Sequence, residues 1–291
     1  WYSVPLSRVQ PAKVAALLPF PFLPSYYTFF PKIPQEATVF SLAIQSVGMT
    51  AASIVIIYMG IQVEWRVIRC ASLGGVLGIT LSSILLAPLL PPPIIKMSFT
   101  AMVVSFAITL FALNRTQQRR YNRLPNFRIQ ERILLLIVGF CGGIMSGLVG
   151  NGIDIITFSV MVLLWHLNEK IATPTSVILM AINALVGFAL HLFIIGDFTP
   201  KMYAYWQAAI PVVVVGAPLG AMLCSCLTRM TIVRILITLI AIEFISSLLL
   251  IPLTKAVITS GLITFLVFSG LYYWMYRTHC HRKSFERHCT S

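Results

Sequence analysis

Charge is what this chain has least of. Only 10% of its 291 residues are Asp, Glu, Lys or Arg, and the acidic ones number 8 against 21 basic. A surface of ordinary soluble composition cannot be built from that stock. Catalytic signatures are missing as well: there is no serine-histidine-acid order, no HExxH helix and no GxxxxGK[ST] loop, so an enzyme has little support. The six cysteines supply neither a disulfide framework nor a zinc module. Cys70, Cys141, Cys224 and Cys226 fall in apolar runs, while Cys280 and Cys289 lie with His279, His281 and His288 in a basic tail without paired CxxC spacing. No cofactor and no metal are expected.

What the chain has in surplus is apolar length. Hydrophobic residues make up 58% of it and the mean hydropathy is +0.90. Apolar runs at 37–60, 66–88, 95–113, 132–166, 172–196, 203–227, 232–252 and 256–276 mostly exceed the roughly 18 residues needed to cross a bilayer core. The reading is an all-α polytopic membrane protein of about 7–9 membrane segments. The net charge of +13 sits in short gaps between runs, which fits anionic lipid headgroups and argues against nucleic acid as a partner.

One gap is outstanding. Arg115, Arg119, Arg120, Arg123, Arg128 and Arg132 face a single Glu131, the strongest positive-inside signal in the chain. The expected organisation is a Pro- and aromatic-rich segment at 1–35, a membrane repeat at 36–113, an Arg-rich cytoplasmic loop at 114–131, a second repeat at 132–252, an additional helix at 253–276 and a basic cytoplasmic tail at 277–291. The cell membrane is the expected location. Because the chain begins at Trp1 without a basic-then-apolar leader pattern, sequence upstream of it is expected.

Three echoes in the same order suggest an internal repeat. Ala37-Thr38-Val39-Phe40-Ser41 resembles Ala172-Thr173-Pro174-Thr175-Ser176, Gly74-Gly75-Val76-Leu77-Gly78 resembles Gly216-Ala217-Pro218-Leu219-Gly220, and Ile94-Ile95-Lys96 resembles Ile232-Val233-Arg234. Odd numbers of crossings per half would make the repeats inverted. In the second half a glycine-dense run, 139–152, breaks what would otherwise be one helix; the topology turns on whether 132–166 crosses once or dips in and returns, and the charge pattern favours the return. The first half carries a Pro- and aromatic-rich stretch at 18–27 in that place, which is either one limb of a re-entrant hairpin or an interfacial arm.

Glycine in a helix interior costs about 1 kcal/mol, and in lipid the freed backbone groups need partners inside the protein. Gly139, Gly143 and Gly147, spaced i, i+4, i+8, read as a packing face. Gly150, Asn151, Gly152, Asp154 and Thr157 concentrate amides and polar side chains at the break, where a new helix N-terminus would attract an anion. Asp154 then has to be neutralised, paired, turned away or used for a proton or cation. Thr175 and Ser176, with Ser41 as repeat partner, are candidates for the opposite wall, and Gln45 and Asn183 are secondary candidates or interhelical glue. Glu243, alone near the middle of an apolar run, is the candidate for binding and releasing a coupling proton, the alternative being a structural acid. His191 reads as interfacial.

These residues resemble the sulfite exporter TauE/SafE family of membrane transporters. The resemblance rests on 139–152 followed by Ala172-Thr173-Pro174-Thr175-Ser176, on the echo at 37–41 and on Gly216-Ala217-Pro218-Leu219-Gly220, and it covers about residues 30–275. It implies two related helical halves and a secondary transporter for small anions such as sulfite, thiosulfate or organosulfonates, with an anionic solute and membrane lipid as partners. The reading from another class is a membrane scaffold or sensor that keeps the fold without a transport cycle.

Overall fold

Helix is the only regular structure among the described residues, as expected of apolar runs whose backbone groups must all be satisfied within lipid. The structure, a computed structural model, describes residues 33–115, 129–226, 229–251 and 254–288. The expectations for 1–32 and for most of the Arg-rich loop lie outside those residues. The helices are α1 (Ile33–Tyr58), α2 (Trp65–Leu81), α3 (Pro92–Arg115), α4 (Ile129–Val149), α5 (Ile153–Ser159), α6 (Glu169–Ala189), α7 (Pro200–Cys226), α8 (Arg229–Leu250) and α9 (Lys255–His288). Three of them, α2, α5 and α6, run on into π-helical turns at Ser82–Leu86, Val160–Leu164 and Leu190–Ile195. Seven stretches among the described residues are long and apolar enough to cross a membrane. The last helix continues unbroken through the region expected as a tail, since no proline or glycine follows Gly270 to stop it.

Close packing of small residues sets the helix directions. A side chain at Gly139 would collide with the Ala71 carbonyl, at Gly143 with that of Gly75, and at Gly147 with the Ser82 hydroxyl. The partner numbers rise together, so α4 lies parallel to α2 at backbone contact. Likewise Trp206 donates its indole N–H to the Ala43 carbonyl at 2.7 Å, and the Gly48 position meets Val213, which makes α7 parallel to α1. Leu42 packs at Gly187 while Ile56 clusters with Ile178, so α6 is antiparallel to α1. On α3 and α9, Met97 meets Gly261 and Phe106 meets Tyr272, a parallel pair.

Those directions decide the course of residues 129–168. The Thr175 hydroxyl of α6 accepts the Glu64 N–H at 3.0 Å, so α6 begins beside the α1–α2 turn. Because α4 is parallel to α2, α4 begins at that same end. The chain between them therefore goes in along α4 and comes back along α5, a hairpin whose first limb alone is about 31 Å long. Its 12-residue second limb, Ile153–Leu164, is about 18 Å and leaves the remaining height to the irregular residues 165–168.

The two halves are inverted with respect to each other: α1, α2 and α3 each run opposite to α6, α7 and α8. The contacts are reciprocal too, α1 packing on α7 as α6 packs on α2. At one end of the bundle lie the 59–64 turn, the last turn of α3 and the starts of α4, α6 and α8. At the other lie residues 87–91 and 196–199, with 251 and 254. The main core cluster joins α2, α3, α4, α5 and α6 around Phe106, Met102, Leu135, Met161 and Leu179, with Tyr272 of α9 closing it. It holds the hairpin rigidly against the rest.

Candidate functional site

Two helix ends meet at residues 150–152, and some of their backbone groups are already paired. The Gly150 N–H donates to the Ser146 carbonyl at 2.7 Å, closing α4. Gly150 has φ +87, a left-handed conformation that glycine adopts without penalty, and a side chain there would press on Ser41 and Thr38. The Ile153 N–H donates to the Ser146 hydroxyl at 3.0 Å. Asp154 follows in the first turn of α5, its Oδ1 buried and without a hydrogen-bond partner. Of the amides gathered at the break, that of Ile153 is therefore already taken by Ser146.

Beside the break is a cavity of about 1070 Å³. Its walls gather Thr38, Ser41 and Gln45 from α1, Asn151 and Asp154 from the break, and Thr173 and Ser176 from α6. Lys96 of α3 and Glu243 of α8 complete the polar lining on the far side, with Ser83, His191 and Asp197 towards one end. The Gln45 amide donates to the Ser41 hydroxyl at 2.9 Å, and the Ser176 hydroxyl is turned back onto the Thr173 carbonyl at 2.9 Å. The remaining wall is apolar, including Phe99, Phe106, Phe158 and Ile240. Convergent polar groups in a mostly apolar hollow are the usual composition of a small-molecule site.

Of the residues singled out from the sequence, Ser41, Gln45, Asn151, Asp154, Ser176 and Glu243 share this cavity. The others sit elsewhere. Gly150 and Gly152 shape the break from behind, Gly152 against Met145. Thr157 is fully buried on α5, and Thr175 is committed to Glu64 and to the Ile171 carbonyl at the opposite end of the bundle. Asn183 is buried with its amide oxygen beside the Gly75 position and without a hydrogen-bond partner. Although the apolar run begins at 172, α6 starts at Glu169 with the Asn168 side chain accepting the Lys170 N–H, so the hydroxyl run 173–176 and Pro174 lie inside the helix.

Three contributions were not legible in the chain. Lys96 is remote from Glu243 in sequence, yet the two attract each other electrostatically across the cavity, so Glu243 is not alone. His191 is buried near the end of its span, and its Nδ1 lies 3.0 Å from Asp197 Oδ1. The π-helical turns at 82–86 and 190–195 direct Ser83 and His191 inward, a shift that no periodicity of 3.6 announces.

No curated protein and no solved structure matches the chain. The profile of the family described as sulfite exporter TauE/SafE matches residues 15–246, taking in α1 to α7, the break and the cavity wall as far as Glu243. With a match over most of its length and an inverted pair of helical halves around a broken helix, the chain belongs to the sulfite exporter TauE/SafE family of membrane transporters.

Proposed function

We propose that the protein moves a small anion of the sulfite, thiosulfate or organosulfonate kind across the cell membrane by alternating access, with the solute in the cavity beside residues 150–154. The observation that carries the reading is the cavity itself, into which both inverted halves and the break send polar side chains. Elements related by inversion can rock against each other and expose one site first to one side and then to the other. Ser41, Gln45, Asn151 and Ser176 offer neutral hydrogen bonds, and Lys96 offers the positive charge.

Charge balance supports proton coupling. Asp154, Asp197 and Glu243 face the same hollow as Lys96 and His191. An anion entering while all three carboxylates are ionised meets net negative charge, whereas a proton on Glu243 removes one charge and frees Lys96 to attract the solute. Glu243 is the residue assigned to load and release that proton. The basic end of the bundle, with Arg66, Arg69, Arg132, Lys170 and Arg234, is assigned to the cytoplasm by the positive-inside rule.

The test is uptake by proteoliposomes holding the purified protein, offered labelled sulfite, thiosulfate and an alkyl sulfonate in turn. Saturable uptake of at least one is expected. A well-folded protein that moves none of the three would leave a scaffold or sensor as the reading.

A further inference from the structure

A second feature of the cavity is chemically more specific than its neutral lining. His191 follows α6 in a π-helical turn and lines the cavity with only 7% of its side chain exposed. Both oxygens of Asp197 approach its Nδ1, at 3.0 and 3.1 Å. The other ring nitrogen, Nε2, is buried and has no hydrogen-bond partner. A buried imidazole satisfied at one nitrogen and bare at the other costs free energy unless something fills the second position.

The arrangement is held from outside the cavity. Gly196, at φ +71, reverses the chain after the π-helical turn and donates its N–H to the His191 carbonyl at 2.9 Å. Phe198 packs its ring against Phe188, Tyr203 and Trp206 at centroid distances of 5.2, 6.5 and 6.3 Å. Trp206 is in turn tied to α1 through Ala43. The residue between Gly196 and Phe198 is Asp197, so its backbone is set from both sides, and its side chain remains 40% exposed while its histidine is covered.

We propose that His191 is a direct ligand of the transported anion, that Asp197 positions it, and that anion and proton bind at Nε2 together. This rests on the anion-transport reading above. A carboxylate accepts hydrogen bonds, so Asp197 keeps the proton on Nδ1. In neutral imidazole Nε2 is then an acceptor, which opposes an oxyanion offering only acceptor oxygens. Once Nε2 takes a proton from solvent, it becomes a donor and the imidazolium lies between Asp197 on one side and the solute on the other. When the solute leaves, the proton returns to solvent. The two bind in mutual dependence, each strengthening the other by the same factor.

The other titratable groups on the cavity wall are Lys96 of α3, Asp154 of α5 and Glu243 of α8. They are distinguished by substitution. Thiosulfate is the probe, because it stays fully ionised across the interval of about pH 5 to 8 in which an imidazole changes charge. Any pH dependence of its binding then belongs to the protein.

The experiment is equilibrium binding of labelled thiosulfate to the full chain in nanodiscs at about pH 8 and about pH 6. Wild type is expected to bind about tenfold more tightly at the lower pH, the effect of one linked charge-assisted hydrogen bond. His191→Gln should bind weakly and lose the part of the gain that its imidazole supplies, and Asp197→Asn, which still accepts from Nδ1 without the negative charge, should lose most of that part. Adding His191→Gln to Glu243→Gln, which removes the other proton site assigned above, should abolish whatever gain at the lower pH Glu243→Gln retains. Overturning results are pH-independent binding by wild type, or a wild-type pH response retained in folded His191→Gln. Failure of wild type to bind thiosulfate at either pH would instead defeat the thiosulfate form of the transport reading, and this inference with it.

Discussion

A single methyl group, added at repeat-related positions, should stabilise one half and damage the other. Gly78 of α2 and Gly220 of α7 correspond in the internal repeat. A Cβ at Gly78 would collide with the Phe140 carbonyl and lie 2.9 Å from the Ile144 nitrogen and 3.1 Å from the Gly143 Cα. All three are backbone atoms, which cannot rotate away, so α2 and α4 would have to separate. At Gly220 nothing lies within 4 Å. Replacing glycine by alanine gains about 1 kcal/mol of helix propensity at either site. That gain cancels in the comparison and leaves the clash, which overpacking studies place at about 1–3 kcal/mol and which unyielding backbone neighbours push towards about 3 kcal/mol. Gly78→Ala should therefore be destabilised by about 2 kcal/mol and Gly220→Ala stabilised by up to about 1 kcal/mol. Unfolding midpoints of the purified variants in mixed micelles, measured side by side, give the answer. Equal stability of the two, or a more stable Gly78→Ala, would mean that α2 and α4 are not at backbone contact, and the helix directions deduced from those contacts would lose their basis.

Other outcomes follow from the same geometry. Gly150→Leu should abolish solute uptake while leaving the protein inserted, because it forces a bulky residue to φ +87 against Ser41 and Thr38; normal uptake would move the site away from the break. Glu243→Gln should preserve solute exchange but weaken accumulation driven by a pH gradient in proteoliposomes, and unchanged accumulation would reduce Glu243 to a structural acid. Lys96→Met should lower anion affinity by about tenfold or more in the same assay, as loss of the cavity's lysine charge requires. A cysteine engineered at Gln118 should resist an impermeant reagent in intact cells, whereas its labelling would invert the assigned orientation.

How far the chain could be read depended on whether a feature was local. Apolar length announces a membrane helix, because about 30 Å of hydrocarbon must be crossed by residues rising 1.5 Å each. The class, most of the segments and the break at 150–152 are properties of contiguous residues, and the glycine spacing at 139, 143 and 147 marks a packing face for the same reason. The sequence likewise placed Ser41, Asn151, Asp154 and Ser176 among the site candidates, through echoes between halves and the cost of polar groups in lipid. Tertiary structure decided what depended on which helix ends meet. That 129–168 returns to its own side follows from α4 lying parallel to α2 and from Thr175 holding Glu64. That the Ile153 amide of the break is already taken follows from Ser146, seven residues away. Lys96 came to face Glu243, and Asp197 to hold His191, only when α3 and α8 closed one cavity and a π-helical turn swung the imidazole inward. A charge's partner is set by distance in space, and electrostatic attraction falls with that distance whatever the separation along the chain.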